Sequence, residues 1–173
     1  MKIYNTSQIR NIALVGGNKS GKTTLAESIA LNAGIISRLG TVEAGNTLSD
    51  YREIEIERKS SVVSTLLYAE TNDKKINIID VPGFTDFQGE VVCAYSAVEA
   101  GVILVNAQNG VEVGTEIAMM HAENMNIPVM FAINQLDAEK ADFNQTLNQL
   151  RENFGEKITL IQYPVNAGVG FDS

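Results

Sequence analysis

Short apolar runs, each closed by glycine, aspartate or asparagine, alternate along the chain with longer stretches of helix-forming residues. The run NIALV at Asn11–Val15 is too short for a helix and leads straight into two glycines, which predicts a buried strand. The helix formers of Thr24–Ala33 predict the helix that follows. Ser61–Tyr68 and Lys75–Ile79, rich in Val, Ile and Leu, flank the turn-like TNDK and predict an antiparallel hairpin. Further on the pattern predicts a helix over Gly89–Ala100, a strand over Val102–Asn106 and a helix over Gly114–Asn124. A strand over Pro128–Asn134, a helix over Phe143–Phe154 and a last strand over Ile158–Gln162 complete it. From Ile35 to Ser61 the periodicity dissolves into small, polar and charged residues, so a long surface loop is expected there, of a length that is often functional. The alternation is that of an α/β fold, and no internal repeat, low-complexity tract or heptad run interrupts it.

Composition narrows the class. The 173 residues are 45% apolar and 20% charged, which suits one well-buried domain. A single cysteine, Cys93, excludes an internal disulfide and supports no zinc site, so the cytoplasm is the expected compartment. MKIYNTSQIRNIALVGG is neither a signal peptide nor the roughly 20 apolar residues of a membrane helix, and no membrane association is expected. A formal net charge of -8 argues against a broad nucleic-acid-gripping face, so any phosphate binding must be local.

Local phosphate chemistry is what GGNKSGKTT offers. Gly16, Gly21, Lys22 and Thr23 match G-x-x-x-x-G-K-[ST] after a strand and at the opening of a helix, where a P-loop belongs. In such a loop, here with Asn18, Lys19, Ser20 and Thr24 beside the motif positions, backbone N–H groups wrap the β-phosphate. Lys22 reaches the β- and γ-phosphates and the Thr23 hydroxyl ligates Mg²⁺. The apolar run INIID places Asp80 at a strand end, where a carboxylate can hold Mg²⁺ through water, and Gly83 offers an unobstructed backbone N–H. NQLD, Asn134–Asp137, closes another strand. A fixed Asp137 carboxylate accepts from both N1–H and N2–H₂ of guanine, whereas adenine would meet it with an acceptor. The expected ligands are therefore GTP and GDP with Mg²⁺.

These motifs, in this order and spacing, resemble the GTP-binding domain of translational GTPases over nearly the whole chain. The nearest resemblance is to elongation factor G, and among its members to the type 2 paralogues, with ribosomal-protection proteins as the next relatives. INIIDVPGFTDFQGEV is similar to that family's Asp-Thr-Pro-Gly-His-x-Asp-Phe switch II segment, and GVEVGTE, NQLDAEKADF and RNIALVGG recur there in similar form. The resemblance implies a P-loop NTPase fold of three layers, a mostly parallel central sheet with helices on both faces and one antiparallel edge strand. It also implies a GTP-dependent conformational switch that acts on the ribosome at its GTPase-associated centre. Residues 1–163 are then the GTP-binding domain without its last guanine-contacting, Ser-Ala-containing loop, and 164–173 the start of a subdomain insert. The chain reads as a fragment of a longer protein, the isolated domain is expected to be a monomer, and it should bind guanine nucleotide more weakly than its parent.

The departures cluster at the reaction centre. Where the resemblance implies a His that positions the attacking water, this chain has Phe84, which can neither donate nor accept a strong hydrogen bond. Loss of such a group costs about 10²-fold or more in rate. The two apolar gate positions are the polar Asn18 and Ser60. The segment expected as Arg-Gly-Ile-Thr-Ile is RKSSV, so Lys59 replaces Gly and Ser61 replaces the Thr that closes on Mg²⁺. Lys19 stands where Asp is associated with a monovalent cation; its ammonium either substitutes for that ion or points to solvent. Gln135 replaces the Lys that lies along the guanine plane. Binding residues are kept while turnover is in doubt. Three readings stay open: a translocation factor that hydrolyses GTP slowly or not at all, an efficient ribosome-stimulated GTPase with rearranged catalytic groups, and a non-ribosomal P-loop switch or small-molecule kinase.

Overall fold

The computed structural model describes residues 3–156 and 158–165. In chain order the elements are β1 (Ile9–Gly16), α1 (Lys22–Asn32), α2 (Glu53–Arg58), β2 (Thr65–Thr71), β3 (Lys74–Asp80), α3 (Gln88–Tyr95), β4 (Ala100–Asn106), α4 (Val113–Asn124), β5 (Val129–Asn134) and α5 (Phe143–Phe154). The strands form one sheet in the order β2-β3-β1-β4-β5. Every pair is parallel except β2 with β3, so the antiparallel strand lies at an edge. The β2–β3 turn is tight because Asn72 and Asp73 take φ of 47° and 57°, the left-handed pair that a two-residue hairpin requires.

Strand alternation builds the three layers. Ile12 and Leu14 of β1 share one face with Ile76, Ile78, Val102 and Leu104, and α1 covers it through Leu25, Ala26 and Ile29. Ala13 and Val15 point to the other face. There Ile103 and Val105 meet Val91, Ala94 and Tyr95 of α3, Ala118, Met119 and Ala122 of α4, and Leu150 of α5. Phe154 stacks on Phe131 at 5.4 Å, which ties the end of α5 to β5. The expected P-loop NTPase architecture is therefore the observed one. Since β1, β3, β4 and β5 run the same way, Gly16, Asp80, Asn106 and Asn134 all arrive at one carboxyl edge, the edge where open α/β sheets bind ligands.

Four local expectations are corrected. The segment expected as a surface loop from Ile35 to Ser61 contains α2 and buries Thr47, Ser49, Asp50 and Glu55, because polar side chains rather than apolar periodicity fold it. The helix expected over Gly89–Ala100 ends at Tyr95, and Ala100 already pairs with Ile12 as the first residue of β4. The first hairpin strand, expected over Ser61–Tyr68, is displaced to Thr65–Thr71. Ile158–Gln162 joins no sheet: Ile158 packs on the core, but Ile161 is 81% exposed, so no continuous apolar face draws this stretch against β5. Most of the expected insert start, residues 166–173, lies outside the described residues.

Gly101 shows how tightly α3 meets the sheet. A Cβ there would lie 2.7 Å from the Tyr95 ring, whose hydroxyl donates to Ala118 O at 3.2 Å. Gly101→Ala is expected to lower unfolding stability by about 1–3 kcal/mol through overpacking. Urea denaturation with an unchanged slope checks this.

Candidate nucleotide-binding site

The P-loop forms because β1 stops at Gly16 and the chain must turn before α1 begins at Lys22. Gly21 makes the last step with φ 91°, and its α-carbon faces the Asn134 amide so closely that a side chain has no room. Lys22 is buried, and its Nζ donates to Gly16 O at 3.1 Å, Gly17 O at 2.6 Å and Ser20 Oγ at 3.4 Å. Burial pulls its pKa down to about 8, an effect that Asp80, Glu112 and Asp50 partly oppose.

Register puts Asp80 beside this lysine. Leu14 of β1 pairs with Asp80 of β3, and Val81 N continues the ladder to Leu14 O at 3.2 Å. Thr23 Oγ1 donates to Asp80 Oδ2 at 2.7 Å and lies 3.3 Å from Ser61 Oγ, so the three residues expected at the metal converge from α1, β3 and the segment before β2. Burial raises Asp80 to about 6 despite the Thr23 hydrogen bond. Asp50, also raised by burial, lies close enough to act on both Lys22 and Asp80. Asp80 Oδ1 and Asp50 Oδ1 are buried and make no hydrogen bond among the described residues. Two such carboxylate oxygens beside two hydroxyls fit a hard cation with oxygen ligands. Asp50 was not singled out from sequence, since a lone Asp inside TLSDY carries no spacing signature.

The base-side loop is bound to the P-loop directly. Asn134 Nδ2 donates to Ser20 O at 2.9 Å and Gln135 Nε2 to Lys19 O at 3.0 Å. Asn106 Nδ2, at the end of β4, donates to Gln135 Oε1 at 2.5 Å and holds that side chain, a partner that sequence reading missed. Lys19, Thr24 and Asp137 are exposed. On the other side, a Cβ on Gly83 would lie 2.5 Å from Lys22 Nζ and 2.8 Å from Asn18 Cα, so the segment after Asp80 crosses directly over the P-loop. Phe84 follows and is 43% exposed, and its carbonyl accepts from Phe87 N at 3.0 Å. Glu112 and Gly114 close the back of the loop: the Glu112 carboxylate is 3.1 Å from where a Gly17 Cβ would be, and a Gly114 Cβ would meet Gly17 Cα at 2.6 Å.

The segment over 35–64 is held by buried carboxylates. Glu27 of α1 accepts from Gly40 N at 3.1 Å and from Leu48 N. Glu55 of α2 accepts from Val62 N at 3.1 Å and Val63 N at 3.2 Å.

A buried lysine wrapped by loop carbonyls, a hydroxyl on a strand-end carboxylate and an amide-anchored loop at the same sheet edge define a P-loop nucleotide-binding domain. The chain belongs to the Elongation factor Tu GTP binding domain family, which matches residues 7–172, and it is a translational GTPase domain. It is 35% identical over 164 residues to an elongation factor G-like protein of Thermotoga maritima, covering 95% of this chain and 23% of that protein. It is 30% identical over 161 residues to the tetracycline resistance protein TetP of Clostridium perfringens, covering 93% and 25%. The mitochondrial ribosome-releasing factor 2 of Drosophila willistoni is 34% identical over 165 residues, covering 95% and 22%. A crystal structure of ttk003000868 from Thermus thermophilus superposes with a TM-score of 0.83 at 36% identity over 86% of this chain and 22% of the other. The chain thus spans about a quarter or less of these relatives. The family implies guanine nucleotide binding. Among the described residues, no helix is long and apolar enough to cross a membrane.

The Asp80 shift has a sign that can be tested. A carboxyl raised from 3.8 to about 6 binds its proton more tightly folded than unfolded, so its burial costs stability above pH 6 and the cost fades as pH falls toward 4. In metal-chelated buffer at pH 7.5, Asp80→Asn is expected to raise unfolding stability by about 1–3 kcal/mol, with the gain gone by about pH 4. Denaturation of both proteins across pH checks this; a loss of stability at pH 7.5 contradicts it.

Proposed function

We propose that this chain is the GTP-binding domain of an elongation factor G-like ribosomal translocation factor, one that binds GTP and GDP with Mg²⁺ and hydrolyses GTP slowly or not at all. The observation that carries this reading is an asymmetry within one site: the groups suited to hold nucleotide converge, while the residue expected to serve the attacking water is an exposed phenylalanine.

In this reading the backbone of Gly16, Asn18, Lys19, Ser20 and Gly21 cradles the phosphates, and Lys22 turns from its carbonyl partners toward the β- and γ-oxygens. Phosphate oxygens restore the charge that burial disfavours on Lys22. Thr23, Ser61 and Asp80, with Asp50 nearby, would hold the metal, which would supply neutralisation of phosphate charge. Asn134 and Gln135 fix the loop from which Asp137 reads the guanine edge, while Thr24 at the start of α1 lies beside the nucleotide. Gly83 gives the segment after Asp80 its close approach to Lys22, so a γ-phosphate there bears directly on the backbone leading to Phe84. That coupling is the conformational switch. The names of the relatives support a ribosomal partner, reached through the domains that lie beyond this span in them, and the GTPase-associated centre is the docking point we assign. The domain acts as a monomer in the cytoplasm, although relatives also include mitochondrial proteins.

The phenylalanine defines the test. GTP turnover, measured with and without ribosomes, is expected to be slow in the natural protein and to rise at least about tenfold in Phe84→His, since an imidazole can position water and bear charge. Fast ribosome-stimulated turnover by the natural protein would establish instead an efficient GTPase in which other groups serve the water.

A further inference from the structure

Three consecutive backbone amides follow Ser61, and all three end on carboxylates. Val62 N and Val63 N donate to Glu55 Oε1 at 3.1 and 3.2 Å, and Ser64 N donates to Glu90 Oε2 at 2.8 Å. The two acids come from different elements. Glu55 is fully buried in α2, and its other oxygen accepts from Arg52 N at 3.3 Å, so it belongs to the same segment as the amides it holds. Glu90 is half-buried in the first turn of α3, which the chain reaches from Phe84 through the short turn Thr85–Phe87. The Ser64–Glu90 bond is thus a link between the stretch carrying Ser61 and the stretch carrying Phe84. Immediately beyond it Thr65 pairs with Asp80 and its hydroxyl donates to Ser49 O at 3.1 Å, so residues 61–65 are a short span whose two ends meet the Thr23–Asp80 pair.

From this geometry we infer that Glu90 is a positioning residue: through the Ser64 amide it sets the Ser61 hydroxyl against Thr23, and so couples the α3 segment after Phe84 to metal affinity. This rests on the nucleotide and Mg²⁺ reading above. The span is held at 62 and 63 by Glu55 and at 65 by its pairing with Asp80; the bond from α3 to the Ser64 amide between them adds the tie to the segment that follows Asp80. If α3 shifts, the Ser64 bond opens and the Ser61 hydroxyl loses that support beside Thr23. The proposed effect runs through the hydrogen bond to Ser64 N, which an uncharged acceptor can also make.

The test is an Mg²⁺ titration of the full chain bound to N-methylanthraniloyl-labelled guanosine 5′-(βγ-imido)triphosphate, followed by the label's fluorescence, for the natural protein, Glu90→Ala, Glu90→Gln, Ser61→Ala and the Glu90→Ala/Ser61→Ala pair. Glu90→Ala is expected to weaken Mg²⁺ by about tenfold while leaving nucleotide affinity in chelator within twofold, which a loss of fold would not do. Glu90→Gln, which keeps an acceptor and drops the charge, should recover most of the natural value. The double variant should be no weaker than Ser61→Ala, because Glu90 acts through that hydroxyl. Additive losses, a Glu90→Gln that behaves like Glu90→Ala, or an unchanged Mg²⁺ midpoint in Glu90→Ala overturns the inference and leaves the nucleotide site standing. A natural protein whose nucleotide affinity ignores Mg²⁺ overturns both.

Discussion

The hydrogen bond from Thr23 to Asp80 joins the first turn of the helix after the P-loop to the end of the neighbouring strand, and the site depends on that joint. It exists because β1 and β3 run parallel with Leu14 opposite Asp80, a register set by the alternation of Ile12, Leu14, Ile76 and Ile78 toward one face. The joint brings opposite charges, Lys22 and Asp80, into a setting where both are disfavoured, and burial pushes each pKa toward neutrality. A fold gains nothing from such a pair if stability is its only demand. Phosphate oxygens and a divalent cation, as we propose, would remove the penalty from both, and perturbed groups of this kind mark ligand sites. The Asn134 and Gln135 bonds to the same loop extend the constraint to the end of β5, so the segments proposed for phosphate grip and base choice are held to one another.

The sheet and the phosphate loop were readable from sequence because each follows from local rules. NIALV, INIID and GVILVN are short apolar runs, and the glycines and lysine of the loop stand at fixed spacing. Asp80 and Asn134 were readable for the same reason: they end strands. The segment between Ile35 and Ser61 was not. Its order comes from Glu27 and Glu55, single buried carboxylates that accept backbone amides many residues away, and such long-range polar bonds leave no period in the sequence. Asp50 and Asn106 were missed on the same grounds, each defined by what the fold brings beside it. The strand expected over Ile158–Gln162 failed in the opposite way, since apolar composition suggested pairing where one residue alone meets the core.

The substitutions fall on one side of the site. Lys22, Thr23, Asp80, Asn134 and Asp137 are the residues we propose for holding a guanine nucleotide, whereas Phe84, Asn18, Ser60 and Ser61 stand where the resemblance to elongation factor G implies different chemistry. Gly83 still lies against Lys22 and Asn18, so the close approach on which the proposed switch rests is kept even though the following segment presents a phenylalanine. In the proposed reading such a domain responds to which nucleotide it holds without needing to consume it quickly.

The most direct measurement is calorimetric binding of GTP, GDP and ATP to the purified chain, each with Mg²⁺ and with chelator. The account predicts stoichiometric binding of both guanine nucleotides, no detectable ATP binding, and weaker GTP binding when Mg²⁺ is removed. Equal binding of ATP, or GTP binding indifferent to Mg²⁺, would contradict it.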